Sequence, residues 1–296
     1  MATDYFDAGH LIGHIKDAEY FEVSKVVGGE DGKLHIPQFR DSLESIVAMP
    51  DLGPLNDLLE PLNLRITKFM VLETFAAVLM IVFFCGLANY LRNNDRPKGK
   101  LWNLLESMLL FIRDDVARPA IGHGADKFLP FLWTIFFFVL ACNLLGMVPW
   151  LGSPTGALAT TGALALCTFG AVVIGGVRAM GPIGFVKNQV PHMDLPVYMF
   201  PLKVGIFFIE VLGLFIKHFV LAVRLLANMM AGHLVLAVIV AFIGAAWTHP
   251  AIWGVAPASI LGAVALSLLE LFVAFLQAYV FTFLSALFIG MAVHSH

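Results

Sequence analysis

From about residue 66 onward the chain runs in long apolar blocks separated by short polar breaks. The first block, ITKFMVLETFAAVLMIVFFCGLANYL over 66–91, is long enough to cross a hydrocarbon core of roughly 30 Å. A turn-rich basic break, RNNDRPKGK, follows it. In LWNLLESMLLFIRDDVARPAIG, 101–122, apolar residues recur at helical spacing with acids and arginines between them. That pattern predicts an amphipathic helix lying on the membrane surface or against other helices. Two further spans are predicted at about 128–149 and 157–177, the second rich in Ala, Gly and Thr and so suited to close helix contact. Residues 178–203 hold Arg178, Lys187, Lys203 and the prolines 182, 191, 196 and 201, and read as a loop with broken or surface helices.

The last two apolar segments, about 203–246 and 256–293, are too long for ordinary spans. At ~1.5 Å per residue, ~40 helical residues reach about 60 Å, twice the core thickness. No proline interrupts the body of either segment. They must tilt by about 60°, beyond the usual ~0–40° range, or break into hairpins. A partner surface that the helices wrap across would demand the tilt.

Composition agrees with the pattern. Apolar residues make up 59% of the 296 and charged residues 13%, with mean hydropathy +0.85. Soluble domains have roughly 45–50% apolar and about 25% charged residues. The fold class is therefore all-α: a polytopic membrane protein with about five embedded helices and one amphipathic surface helix. Residues 1–65 hold twelve acids against five bases and no span-length apolar run. They read as a polar acidic N-terminal extension to a membrane domain over 66–296, without the layout of a cleaved signal peptide. The cysteines, at 85, 142 and 167, lie in apolar runs at no zinc-binding spacing and read as buried, volume-filling thiols.

Loop charge predicts orientation. The 92–127 connection holds seven Lys/Arg and 178–203 holds three, whereas 150–156 and 244–257 hold none. By the positive-inside rule the first two are cytoplasmic, which puts the N-terminus outside and the C-terminus inside.

Ionisable residues inside a bilayer are costly and usually functional. Segment 203–246 carries Glu210, Lys217, His218, Arg224 and His233, with Asn228 beside them. Glu210, Lys217 and Arg224 are seven apart, and Asn228 and Gly232 continue at four-residue steps, so these five fall near one helical stripe. Segment 256–293 has Glu270 as its only acid, with Gln277 seven residues on. Each has a plain structural reading. Arg224 could pair with Glu210 or Glu270, the histidines could be hydrogen-bonded helix residues, and Gln277 and Asn228 could join helices. A central Arg costs about 2.5–3.5 kcal/mol or more, and apolar substitutes often hold helices as well as ion pairs do. Together the groups look like a hydrated ion path, in which histidine and glutamate exchange protons and arginine, always charged, does not.

At these residues the chain resembles subunit a of the F-type ATP synthase. RLLANMMAGH, 224–233, is similar to the family's R-L-x-x-N-x-x-[AG]-G-[HE] signature. Glu270 with LQAYVF, 276–281, is similar to its [EH]-x6-Q-A-[FY]-[IV]-F pattern, and FLPFLWTIFFFVLACNLLGMVP and PTGALATTGALAL support the likeness. The resemblance covers about 66–293 and implies a stator proton channel, not a catalytic subunit. The chain has no G-x-x-x-x-G-K-[ST] phosphate loop, and no cofactor or metal is implied. Implied partners are a c-subunit ring with one carboxylate per subunit, peripheral-stalk b subunits, the remaining synthase subunits and the lipid membrane. No nucleic acid is implied, and the expected location is a bacterial inner membrane.

In the implied mechanism Arg224 stands between two aqueous half-channels, ionises each arriving ring carboxylate and blocks direct leak. Glu270 and His233 would belong to the inlet, Gln277 would face Arg224 across the helix pair, and Asn228 would orient the same region. Glu210 and His218 stay open between inlet and outlet. The family's P-[ST]-A-D-x-N motif reads PTGALA here, so Ala157 and Ala159 stand where Asp and Asn are usual. Proton versus sodium coupling stays open. The competing readings are a proton- or sodium-coupled secondary transporter, though no internal repeat is visible, and an assembly scaffold whose charges only pair helices.

Overall fold

The computed structural model describes residues 18, 20–22, 33–36, 67–93, 99–122, 124–148, 151–188, 200–246 and 249–294. Among them are five helices long and apolar enough to cross a membrane. The first, α1 (Lys68–Asn93), follows a small antiparallel ribbon of β1 (Tyr20–Glu22) and β2 (Lys33–His35), in the register Tyr20↔His35 and Glu22↔Lys33. The ribbon is the one β-element in an otherwise helical chain, among the described residues. Most of the predicted extension lies outside them. The Lys68 N–H donates to the Ala18 carbonyl at 2.8 Å, which ties the extension to the start of α1.

The amphipathic stretch divides into α2 (Lys100–Phe111), a wider π-turn over Ile112–Ala117, and α3 (Arg118–Ile121). Ile112, Val116 and Ile121 are fully buried, while Arg113 and Arg118 point away and pair with Asp126 and Asp114. From residue 112 on the stretch thus packs against other helices, one of the two arrangements its pattern predicts. Over it lies α4 (Leu129–Gly146), whose Trp133 indole N–H donates to the Leu109 carbonyl at 3.0 Å.

Next comes α5 (Leu158–Asn188), which continues well past the predicted end at 177. The expected break does occur, at Gly181, whose φ of 76° and ψ of 165° suit a residue without Cβ. Pro182 then opens a new helical turn, where a missing N–H costs nothing. The chain folds back so that the Phe185 ring fills the space a side chain at Gly176 would need. Helix thus resumes over 182–188, anchored by the buried Phe185, while Ile183 and Val186 stay exposed. Pro191 and Pro196 fall outside the described residues.

The two long segments are single helices, α6 (Phe200–Ala245) and α7 (Ile252–Val293), of 46 and 42 residues. They reach about 69 and 63 Å, and neither is broken into a hairpin. Steep tilt is then the remaining way to keep them within a ~30 Å layer. The second starts earlier than predicted and includes Pro257 near its N-terminal end, where one lost backbone bond is tolerated.

The core forms where the π-turn, α3, α4, α5, α6 and α7 meet. Its fully buried side chains include Val116, Leu132, Val139, Leu221, Leu225, Phe281 and Ile289. At one end of the bundle the Gly290 backbone packs on the Ala120 carbonyl, and the His294 ring meets the Ile121 carbonyl at 2.7 Å. The C-terminus therefore sits beside the basic 92–127 connection. Of the three cysteines only Cys142 is buried. Cys85 and Cys167 point outward, because α1 and α5 carry apolar side chains on their outer faces as well.

Candidate functional site

Helices α6 and α7 are joined by a short connection and pack antiparallel. Two contacts fix their register. The carboxyl group of Glu270 lies against Gly232, and Ile239 lies over Gly262, 3.8 Å from where a Cβ would stand. Counting eight residues from each member of the first contact puts Arg224 level with Ala278, one residue from Gln277. Arg224 is about 12 Å along the axis from Gly232.

Arg224 is exposed. It projects from a stripe with Val220, Ala227, Ala231 and Leu234, all exposed and spaced three or four apart. The ion pairs among the described residues are Arg113–Asp126 and Arg118–Asp114. Arg224 pairs with neither Glu210 nor Glu270, which removes the salt-bridge reading of its charge. On α7, Leu261, Leu268 and Phe272 form a second exposed apolar face.

Gln277 is buried, and its Nε2 has no hydrogen-bond partner among the described residues. The same holds for buried atoms of three other predicted residues: Nε2 of His218, Nε2 of His233 and Oε1 of Glu270. Buried polar atoms are nearly always satisfied, by protein or by ordered water. With Nε of Arg113 these four make up the buried side-chain atoms left without a partner among the described residues, and each of the four predicted positions needs water or a partner to be complete. His218 is held tightly: Nδ1 meets the Leu214 carbonyl at 2.8 Å, and the ring lies 5.2 Å from Phe169 and 5.1 Å from Phe288. Asn228 and Glu210 are half-buried, and Lys217 is exposed.

The predicted residues do not form one cluster. Gly232, His233 and Glu270 lie toward the connection between α6 and α7, Arg224 and Gln277 lie deeper, and His218 and Glu210 lie beyond Arg224 along α6. Beside the connection is an open, mostly apolar cavity of about 460 Å³, lined by Met147, Val240, Ser259, Ser267 and Leu271 among others.

Sequence reasoning missed a polar ladder on the neighbouring helices. Ser153 and Thr155 share a hydrogen bond of 2.9 Å, and the Thr155 hydroxyl donates to Oδ1 of Asn143 at 2.8 Å. The Asn143 Nδ2 then donates to the Ala274 carbonyl at 3.3 Å, one helical turn from Glu270. Close by, the Thr160 hydroxyl donates to Glu73 on α1. The signal was present in the sequence, since Glu73 is one of three acids in the five apolar helices, with Glu210 and Glu270.

The family model for the ATP synthase A chain matches residues 70–290. ATP synthase subunit a of Myxococcus xanthus is 40% identical over 95% of this chain and 92% of its own length. The subunit a of Chloroherpeton thalassium is 42% identical over 78% of this chain and 67% of its own. The subunit a 2 of Chlorobaculum tepidum is 43% identical over 78% of this chain and 64% of its own. The chain belongs to the ATP synthase A chain family. It is a polytopic, helical membrane protein of the ATP synthase, which supports a non-catalytic, proton-translocating role.

Proposed function

We propose that this chain is the stator proton-channel subunit of a rotary F-type ATP synthase, with Arg224 as the fixed cation between two half-channels. The observation that carries the reading is Arg224 itself, unpaired on an exposed stripe and level with the buried, unpartnered Gln277. A permanent cation in an apolar helix is costly, and a carboxylate presented by a partner offsets that cost. The small residues Ala227 and Ala231 beside it let such a partner come close. A c-subunit ring, wrapped by the tilted α6–α7 pair, is that partner, while the b subunits would bind elsewhere on the bundle.

The chemistry follows from residue type. A proton enters past Glu270 and His233, which exchange protons with water, and neutralises a ring carboxylate that can then travel through lipid. After rotation the carboxylate meets Arg224, whose charge favours the ionised form. The released proton leaves on the other side. Arg224 cannot carry a proton itself, so the two half-channels stay insulated from each other. Gln277 orients the guanidinium, and Asn228, four residues from Arg224, hydrates it. His218 is six residues to one side of Arg224 and His233 nine to the other. With His233 and Glu270 at the inlet, His218 and Glu210 belong to the outlet. Loop charge makes the inlet external and the outlet cytoplasmic.

A secondary transporter is the competing class. Reconstituted alone in vesicles, this chain should show no gradient-driven cation uptake, whereas the assembled complex should pump protons on ATP addition. Uptake by the isolated chain would replace the proposed function with transport.

A further inference from the structure

At the outer end of the bundle, away from the α6–α7 pair, a carboxylate sits in the first helix with no role in the function proposed above. Glu73 is five residues, about 7.5 Å, from the N-terminal end of α1. It is half-buried and accepts a hydrogen bond from Thr160 at the start of α5, and α1 packs against α4, which carries Asn143. Asn143 is the middle member of the ladder that ends at the Ala274 carbonyl, one helical turn from Glu270.

Carboxylates are scarce here. Between residues 128 and 269 the acids are Asp194 and Glu210, positions 157 and 159 are alanine, and of the two acids the described one, Glu210, lies beyond Arg224 along α6. Among the described residues, Glu73 and Glu270 are thus the acids of the apolar helices on the α6–α7 connection side of Arg224. The cavity beside the α6–α7 connection is a poor alternative route, because Val240, Ile243, Ile260 and Leu271 give water few partners.

We propose that Glu73 is a proton-relay carboxylate at the external mouth of the inlet, supplying the acid that the 154–159 loop lacks. It accepts a proton from external water and gives that proton to water beside Thr160 and Asn143, returning to its ionised form. Ser153, Thr155 and Asn143 line the way from there to Glu270. This rests on the proton-channel function proposed above.

Glu73→Gln tests it, since the amide oxygen still accepts from Thr160 and only the titratable group is lost. In inverted membranes with the complex intact by native gel, Glu73→Gln is expected to slow ATP-driven pumping and ATP synthesis by roughly tenfold. Adding Ala157→Asp, at the extended residue just before α5 and three residues before Thr160, should restore flux, because a carboxylate then returns beside the Thr160 end of the helix. Native flux in assembled Glu73→Gln overturns the proposal, as does the absence of rescue. If Glu73→Gln does not assemble, the exchange Glu73→Thr with Thr160→Glu keeps the pair in contact. Retained flux then supports the relay, and lost flux in an assembled complex overturns it. Arg224→Ala in the same membranes separates the two claims: if it abolishes pumping while Glu73→Gln is silent, only the relay falls.

Discussion

Glu270 places its carboxyl group directly against Gly232, in the space that any side chain at 232 would occupy. A Cβ there would lie 2.9 Å from Cδ of Glu270, closer than real Cβ contacts run, and 3.0 Å from its Cγ, tighter than nearly all of them. Position 232 must therefore be glycine for the carboxyl group to stay where it is.

Gly232→Ala should leave the helices packed, because the end of a flexible side chain can move aside, but Glu270 would shift by about an ångström. Displacements of that size cost on the order of a hundredfold where geometry matters. ATP-driven acidification of inverted vesicles should fall steeply while the native gel shows a normal complex. Undiminished pumping would mean that the Glu270 position is not needed.

Exchanging the two inlet groups is a second test. His233 follows Gly232 and Glu270 faces it, so an acid and an imidazole occupy neighbouring ground on two helices. Glu270→His or His233→Glu alone leaves two groups of one kind and should lose most proton flux. The double exchange, with one acid and one imidazole again present, should recover a large share of it. Equal loss in single and double variants would show that each residue works only at its own position.

Gln277→Leu separates stability from function. Its buried Nε2 has no partner, so an apolar side chain of similar size should be neutral or stabilising, by up to ~1–3 kcal/mol. Flux should nevertheless drop if Gln277 orients Arg224. Parallel thermal melts and pumping assays read the two effects. A destabilised variant with normal flux would assign Gln277 to helix packing.

For the ladder the expectation is reversed. Thr155→Val removes a donor to Asn143 and a partner of Ser153, leaving buried polar atoms unsatisfied. The cost should be about 1–3 kcal/mol, visible as a lower melting temperature in detergent. An unchanged melting temperature would mean that water replaces the hydroxyl.

The helices were legible because membrane length and apolar runs leave few alternatives. Four of the five spans began within a few residues of their predicted starts, and the two long ones were already anomalous. The signature around Arg224 was legible too, since a charge in an apolar run is conspicuous. The end of α5 was not, because Pro182 looks like a loop residue until Gly181 supplies the turn that lets a helix resume. The pairing of Thr160 with Glu73 was also hidden, since it joins residues 87 apart through helix packing alone. Likewise the orphaned atoms of His218 and Gln277 depend on what surrounds them, which no spacing reveals.

In the proposed mechanism the charge of Arg224 gates proton exchange with a partner carboxylate. The most direct measurement is ATP-driven pumping and passive proton leak in membranes carrying Arg224→Ala, after native gel confirms an intact complex. No pumping, with leak equal to or above that of the unaltered complex, is the expected result. Full pumping with alanine at 224 would contradict it and leave Arg224 a helix-surface residue.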